Sequence, residues 1–299
     1  MKKIIILSFL FIFLFGCSKT NSVSNVAKEN GAYIKLKIIA TMFPVYDFAK
    51  SIGGEKTQVS LLTPPGSEPH DYEPTASDLI NINNADIFVY TGKFMEVWVA
   101  EMLKGVTNDK IDIVDTSNGT KIFEDDPHIW LDFEHNRIMA KNIADAMIKK
   151  DPSNKDYYEK NLKDLLTKID KIDNDYFTTL STCKTKNIVF GGHYAFGYLV
   201  RRFNLEYVAA QGFSPDSEPT ANDLIKLVRH INEENIGYIF YEELSSTKVP
   251  ETISKETGAK MLLLSNLESL TKDEVDSGKT FIDAMYENLS NIKIGLDCK

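Results

Sequence analysis

The sequence predicts an α/β protein of two parallel-sheet lobes joined by a long helix. Three observations predict it. The octapeptide Glu73-Pro74-Thr75-Ala76-Ser77-Asp78-Leu79-Ile80 returns as Glu218-Pro219-Thr220-Ala221-Asn222-Asp223-Leu224-Ile225, with seven of eight positions identical and an offset close to half of the 299 residues. Such self-similarity marks two units built on one plan. Around each copy, short β-branched runs alternate with amphipathic stretches, the pattern of a parallel sheet flanked by helices. Between the halves, residues 153–182 carry Tyr157, Leu162, Leu165, Leu166, Ile169, Ile172 and Tyr176 at helical spacing, with no glycine.

The chain opens with an export signal over residues 1–16. Lys2 and Lys3 precede an apolar run, Ile4 to Phe15, that is too short for a stable membrane span. The run closes on Leu14-Phe15-Gly16-Cys17, which resembles a bacterial lipobox, so Cys17 is the expected lipidation site. Residues 17–33 are polar and aperiodic and read as a tether to the membrane. Removing residues 1–16 takes Lys2 and Lys3 and moves the formal charge from −9 to −11. An acidic body argues against nucleic acid as a partner. With Cys17 acylated, Cys183 and Cys298 are left, in a compartment that permits a disulfide between them.

In the first lobe, residues 34–152, strands are expected at Ile34–Ala40, Thr57–Leu62, Ile87–Thr91 and Ile111–Val114. Helices are expected at Val45–Ile52, after the first octapeptide, at Phe94–Leu103 and at Phe133–Lys150. Asp151-Pro152 then breaks the chain before the connecting helix. In the second lobe, residues 183–299, strands fall at Ile188–Phe190, Tyr207–Ala210, Tyr238–Tyr241 and Met261–Leu264. Helices fall at Tyr194–Phe203, after the second octapeptide, at Lys248–Thr257 and at Thr280–Ile294. Both octapeptides start helices in the same way. The proline blocks helical geometry before it, Thr75 or Thr220 is the N-cap, and Asp78 or Asp223 sits near the positive helix end.

Of five histidines, His70, His128 and His193 follow strands in Gly/Pro-rich loops, whereas His135 and His230 fall inside helices. Ligands of parallel sheets gather beyond the carboxyl ends of the strands. Three imidazoles placed there suit zinc or another borderline divalent metal, and zinc takes four ligands. Glu268 is the first carboxylate after the last strand and is the expected fourth ligand. Glu242 and Glu243 are the alternatives, as ligands or as supports, and water is another. Asp71 and Asp126 are placed to orient the imidazoles by accepting their second N–H.

Gly66-Ser67-Glu68-Pro69-His70-Asp71-Tyr72-Glu73-Pro74, Asp126-Pro127-His128-Ile129-Trp130-Leu131-Asp132, His193-Tyr194-Ala195-Phe196-Gly197-Tyr198-Leu199 and Glu256-Thr257-Gly258-Ala259-Lys260 together resemble the metal-binding lipoproteins of ABC importers, the cluster A-I solute-binding proteins for zinc or manganese. The resemblance runs from about residue 36 to 296. It implies two lobes on a backbone helix, a metal in the cleft, and the family's first three ligands at His70, His128 and His193. A histidine in the third position resembles the zinc branch, since manganese receptors usually carry glutamate there. Two features depart from the pattern. No histidine lies between Asp71 and Pro127, where many zinc receptors carry a metal-collecting loop, and Ser265 stands where some members place an aspartate ligand.

The function expected is an extracytoplasmic, lipid-anchored, monomeric receptor that captures Zn²⁺ and delivers it to an ABC permease. A receptor for Mn²⁺ or iron on the same fold is the first alternative. A zinc hydrolase is the second, though no HExxH-type motif supplies a base. An adhesin or structural lipoprotein is the third and has no distinct support in the sequence.

Overall fold

The computed structural model describes residues 35–216, 218–242 and 245–299. The expected signal, Cys17, the tether and Ile34 lie outside the described residues, as does Glu243.

Strands β1 (Leu36–Ala40), β2 (Thr57–Leu61), β3 (Ile87–Tyr90) and β4 (Asp112–Asp115) form one parallel sheet in the order β2-β1-β3-β4. Strands β5 (Asn187–Phe190), β6 (Glu206–Ala209), β7 (Tyr238–Tyr241) and β8 (Lys260–Leu263) form a second in the equivalent order β6-β5-β7-β8, also parallel. In both sheets the chain switches direction between the first and third strands, which opens a crevice at their carboxyl ends.

The first sheet is crossed by helices α1 (Phe43–Gly53), α2 (Ala76–Asn83), α3 (Val99–Met102) and α4 (Phe133–Lys150). Helix α5 (Lys155–Leu180) connects the lobes, and α6 (Gly197–Phe203), α7 (Ala221–Glu233), α8 (Lys248–Thr257), α9 (Lys272–Ser277) and α10 (Phe281–Gly295) belong to the second. Both octapeptides start helices through reciprocal capping boxes. Thr75 accepts from the Asp78 N–H and Asp78 accepts from the Thr75 N–H; Thr220 and Asp223 repeat this at α7.

The strands alternate faces, as period-two geometry demands. Ile38, Ala40, Ile87 and Val89 face the largest core, and Phe88 faces a smaller cluster with Leu62, Ile82 and Val99. In the second sheet Ile188, Phe190 and Phe240 face the same large core, while Val189 and Ile239 pack with Leu227, Ile231 and Ile253. The two lobes thus share a central core, closed by α1, α4, α5 and α10. Helix α5 runs about 39 Å at 1.5 Å per residue and buries Tyr158, Leu165, Ile169, Ile172, Tyr176 and Leu180 along one stripe. At its start Asn161 donates to the carbonyl of Ile52 in α1 (2.9 Å); near its end Tyr176 donates to the carbonyl of Met285 in α10 (2.7 Å). A disulfide joins Cys183, just past α5, to Cys298.

Three elements differ from expectation. The helix expected over Phe94–Leu103 is one α-turn, α3, followed by a 3₁₀ turn at Leu103–Gly105. The cause is Glu96, whose buried carboxylate accepts the N–H groups of Thr91 (3.1 Å) and Gly92 (3.0 Å) and so winds residues 91–96 around itself. The helix expected from Tyr194 begins at Gly197, because Tyr194 donates its N–H across to the carbonyl of Gly212 (2.7 Å) and Ala195 to that of His193 (2.9 Å). Helix α9 was not expected; Thr271 and Glu274 cap it reciprocally.

Candidate metal centre

Each side chain of the cluster reaches the cleft on a loop at a strand's carboxyl end. His70 follows β2 in the turn Pro69–Tyr72, closed by the Tyr72 N–H to the Pro69 carbonyl. His128 follows β4 and leads into the buried 3₁₀ turn Ile129–Leu131. His193 follows β5, and Glu268 follows β8. The structure brings these four together: one ligand atom from each lies within 4.8 Å of every other.

The spacing tests whether a metal fits. A tetrahedral ion about 2.0–2.2 Å from its ligands sets them about 3.3–3.6 Å apart. The Nε2 of His128 lies 3.3 Å from that of His70 and 3.2 Å from that of His193. The Glu268 Oε1 lies 3.1 Å from the Nε2 of His128, 3.1 Å from that of His193 and 3.4 Å from that of His70. The second carboxylate oxygen of Glu268 is buried with no hydrogen bond of ordinary geometry and lies beside the Glu68 carboxyl, a pairing that is costly unless a proton or a cation compensates it.

The outer nitrogens are held by carboxylates, which can only accept. The His128 Nδ1–H donates to Asp126 Oδ1 (2.7 Å), and the His193 Nδ1–H lies 3.1 Å from Glu242 Oε2 and 3.2 Å from Oε1. That assignment leaves both Nε2 atoms free to ligate. The fit is close: a Cβ on Gly192 would lie 2.3 Å from Glu242 Oε1, and one on Gly197 would lie 2.7 Å from Asp126 Oδ2.

His128, His193 and Glu268 are almost wholly buried, whereas the His70 side chain is 11% exposed. Without metal the imidazoles and the carboxylate polarise one another. Burial alone would lower His128 and His193; for His128 the bonds to Asp126 and Glu268, and for His193 the charge of Glu268 and the bond to Glu242, outweigh it and raise both. Burial would raise Glu268, but the charge of His193 and bonds to His128, His193 and His70 hold it well below the usual carboxylate range.

Glu242 therefore stands behind His193 rather than among the four converging atoms, and Asp126 stands behind His128. Asp71 does not orient an imidazole: it is exposed on the outside of the Pro69–Tyr72 turn, its carboxyl facing Asp216. His135 is buried against Tyr198 and accepts the Lys121 N–H (3.3 Å), and His230 lies on α7, so both are elsewhere. Sequence reasoning missed Glu68. Its carboxylate accepts the His70 N–H (3.1 Å), and burial, then the charge of Glu268, pushes it up to about 8. The signal was its place two residues before a proposed ligand. Asn266 was also missed; it donates to Glu242 Oε2 (2.9 Å).

The family described as "ZnuA: Zinc-uptake complex component A periplasmic" matches residues 38–295. The chain is 35% identical to the high-affinity zinc uptake system protein ZnuA of Bacillus subtilis, over 96% of this chain and 94% of that protein. It is 34% identical to the zinc-binding lipoprotein AdcA of Streptococcus pneumoniae, of which it spans 61%. Among solved structures it resembles the metal-dependent lipoprotein YcdH of Bacillus subtilis, with 41% identity and a TM-score of 0.80 over 88% of this chain and 99% of that one. It also resembles the Zn(II)-bound ZnuA-like domain of AdcA from Streptococcus pneumoniae, with 36% identity and a TM-score of 0.79 over 88% and 100%. On a match that covers both lobes, the connecting helix and all four converging side chains, this chain belongs to the ZnuA family of zinc-uptake components.

Proposed function

We propose that the protein is an extracytoplasmic receptor that captures Zn²⁺ on His70, His128, His193 and Glu268 and delivers it to an ABC permease. One observation carries the reading: three imidazole Nε2 atoms and one carboxylate oxygen converge within 4.8 Å of one another, with five of their six separations at 3.1–3.4 Å. Three nitrogens and one oxygen favour zinc over manganese, which prefers oxygen-rich sites. Glu268 occupies the position that a catalytic zinc keeps for water, so the receptor carries out no hydrolysis. The chain acts as a monomer held to the membrane by acylated Cys17. In support, the chain is 34% identical to a protein named as a zinc-binding lipoprotein.

Binding couples to protons. The surrounding carboxylates raise His128 and His193, so zinc competes with protons for these imidazoles. Calorimetric titration of the tag-free mature protein tests the reading. Zinc is expected to bind one per chain with a heat that varies with the ionisation enthalpy of the buffer. Absence of zinc binding, or unchanged binding in His70→Ala and His193→Ala, overturns it. Metal-dependent growth rescue separates zinc from manganese, and radiolabelled palmitate incorporation lost in Cys17→Ala tests the anchor.

A further inference from the structure

The turn after β8 carries Glu268 four residues beyond Leu264, and it is not a relaxed loop. Leu267 is fully buried at a φ of 59°, a left-handed conformation that a γ-branched side chain rarely adopts. Two amides hold it. Asn288 of α10 accepts the Ser265 N–H (2.9 Å) and donates to its carbonyl (2.7 Å). Asn266 does more. Its Oδ1 accepts the Glu268 N–H (3.1 Å), its Nδ2 donates to Glu242 Oε2 (2.9 Å), and its main-chain carbonyl accepts the indole N–H of Trp130 (2.7 Å). Trp130 is completely buried in the first lobe, its ring 5.3 Å from that of His128.

We propose that Asn266 is the positioning residue of the site: it sets the reach of Glu268, steadies Glu242 behind His193, and ties both to the His128 segment across the lobes. This rests on the receptor reading above. The amide suits the place because it donates to a carboxylate through Nδ2 and accepts a backbone N–H through Oδ1 at once. Aspartate keeps the acceptor but opposes Glu242 with a second carboxylate. Alanine loses both bonds. Glu268 and the Glu242 that holds His193 therefore depend on one side chain outside the four converging groups, and the same residue's main-chain carbonyl adds the tie to Trp130.

The test compares wild type, Asn266→Ala, Asn266→Asp and Trp130→Phe. Zinc release is followed in the presence of excess chelator, the visible absorption of the Co²⁺-loaded protein reports coordination, and hydrogen exchange of the metal-free segment 265–269 reports the turn. Asn266→Ala and Asn266→Asp are expected to release zinc roughly 10- to 100-fold faster, the range for lost outer support of a metal ligand, and to change the Co²⁺ spectrum. Faster exchange of the Glu268 amide is expected in Asn266→Ala and wild-type protection in Asn266→Asp, a split that general loosening of the fold does not produce. Trp130→Phe, with the indole donor alone removed, is expected to speed release less and to leave the Co²⁺ spectrum unchanged. Should Asn266→Ala not fold, Asn266→Asp carries the test. Release within twofold of wild type and an unchanged Co²⁺ spectrum in a folded Asn266→Asp overturn the proposal while leaving the receptor reading intact. Failure of the wild-type protein to take up either metal overturns both.

Discussion

Glu96 lies six residues beyond β3 and Glu242 directly beyond β7, the third strand of each sheet, and each faces a residue on the segment that follows the first strand. In the first lobe that residue is Thr41, whose hydroxyl donates to Glu96 Oε1 (2.5 Å), and the N–H groups of Thr91 and Gly92 complete the carboxylate's hydrogen bonds. In the second lobe it is His193, whose Nδ1 Glu242 holds. The plan is common: same sheet order, a buried carboxylate beyond the third strand, same capped helix from the octapeptide. The difference lies in the lengths of chain between strand and helix. After β1 only Thr41 and Met42 precede α1, so the position is sealed. After β5 the chain runs Gly191-Gly192-His193 and on to Phe196 before α6, and the two glycines let Pro250 and Glu242 pack against it, with room for an imidazole to face the cleft. A duplicated fold thus repeats where its loops emerge, while the ligands belong to the loops. The first lobe supplies His70 and His128, after β2 and β4, and the second His193 and Glu268, after β5 and β8, so that only His128 and Glu268 come from equivalent strands.

Four predictions break or sharpen this comparison. The largest effect is expected on ligand removal. His193→Ala should weaken zinc binding by more than about 100-fold, beyond the range for lost outer support of a ligand, whereas Thr41→Ala, at the residue that Glu96 holds, should leave zinc binding unchanged; calorimetry reads both. Next are the two carboxylates. Glu242→Gln should lower zinc affinity by roughly 10- to 100-fold. Glu96→Gln should leave affinity alone but cost stability of about 1–3 kcal/mol, because one buried bond is left unmade; urea unfolding measures it. Equal effects of the two on zinc would mean that the lobes are functionally alike.

The third prediction concerns pH. The raised His128 and His193 values stabilise the metal-free pocket fully below the ordinary histidine value of 6.5, and that contribution is lost as pH rises through their raised values. The depressed Glu268 stabilises above its ordinary 4.5 and loses its contribution as pH falls through its lowered value. The metal-free cluster is thus at full strength between 4.5 and 6.5, while zinc requires neutral imidazoles. The rise in Tm on adding zinc is expected to grow steadily from about pH 5.5 to about pH 8. A rise independent of pH would contradict the paired charges. The smallest effect tests the shared part: Thr75→Ala and Thr220→Ala should each cost about 1 kcal/mol as lost N-caps, with no difference between lobes in urea unfolding.

Legibility in the sequence followed the range of the interactions. The octapeptide caps are local, so Thr75, Asp78, Thr220 and Asp223 announced α2 and α7 directly. The strands alternate between two cores and read as β-branched runs. The three imidazoles stood out because they follow strands in Gly/Pro-rich loops. Glu96 did not stand out: it sits in an apolar, helix-like stretch, and the coil around its carboxylate combines bonds to the Thr91 and Gly92 N–H groups with a buried contact to Thr41, fifty-five residues away. Asn266 was illegible for the same reason, since its partners Glu242 and Trp130 come from other loops. Asp71 misled through proximity, because a neighbour in sequence of a turn residue points away from it as readily as toward it.

His70 is the one proposed ligand that solvent reaches, and the core shared between the lobes gives them little freedom to part. Exchange of the ion is then a matter of which bond a competitor can approach. A chelator or an acceptor site attacks from the His70 side, and swinging that imidazole aside opens a coordination position while three ligands still hold. The receptor would give up its cargo hand over hand, at a rate governed by one side-chain rotation and the affinity of the next holder, rather than by the opening of a lid.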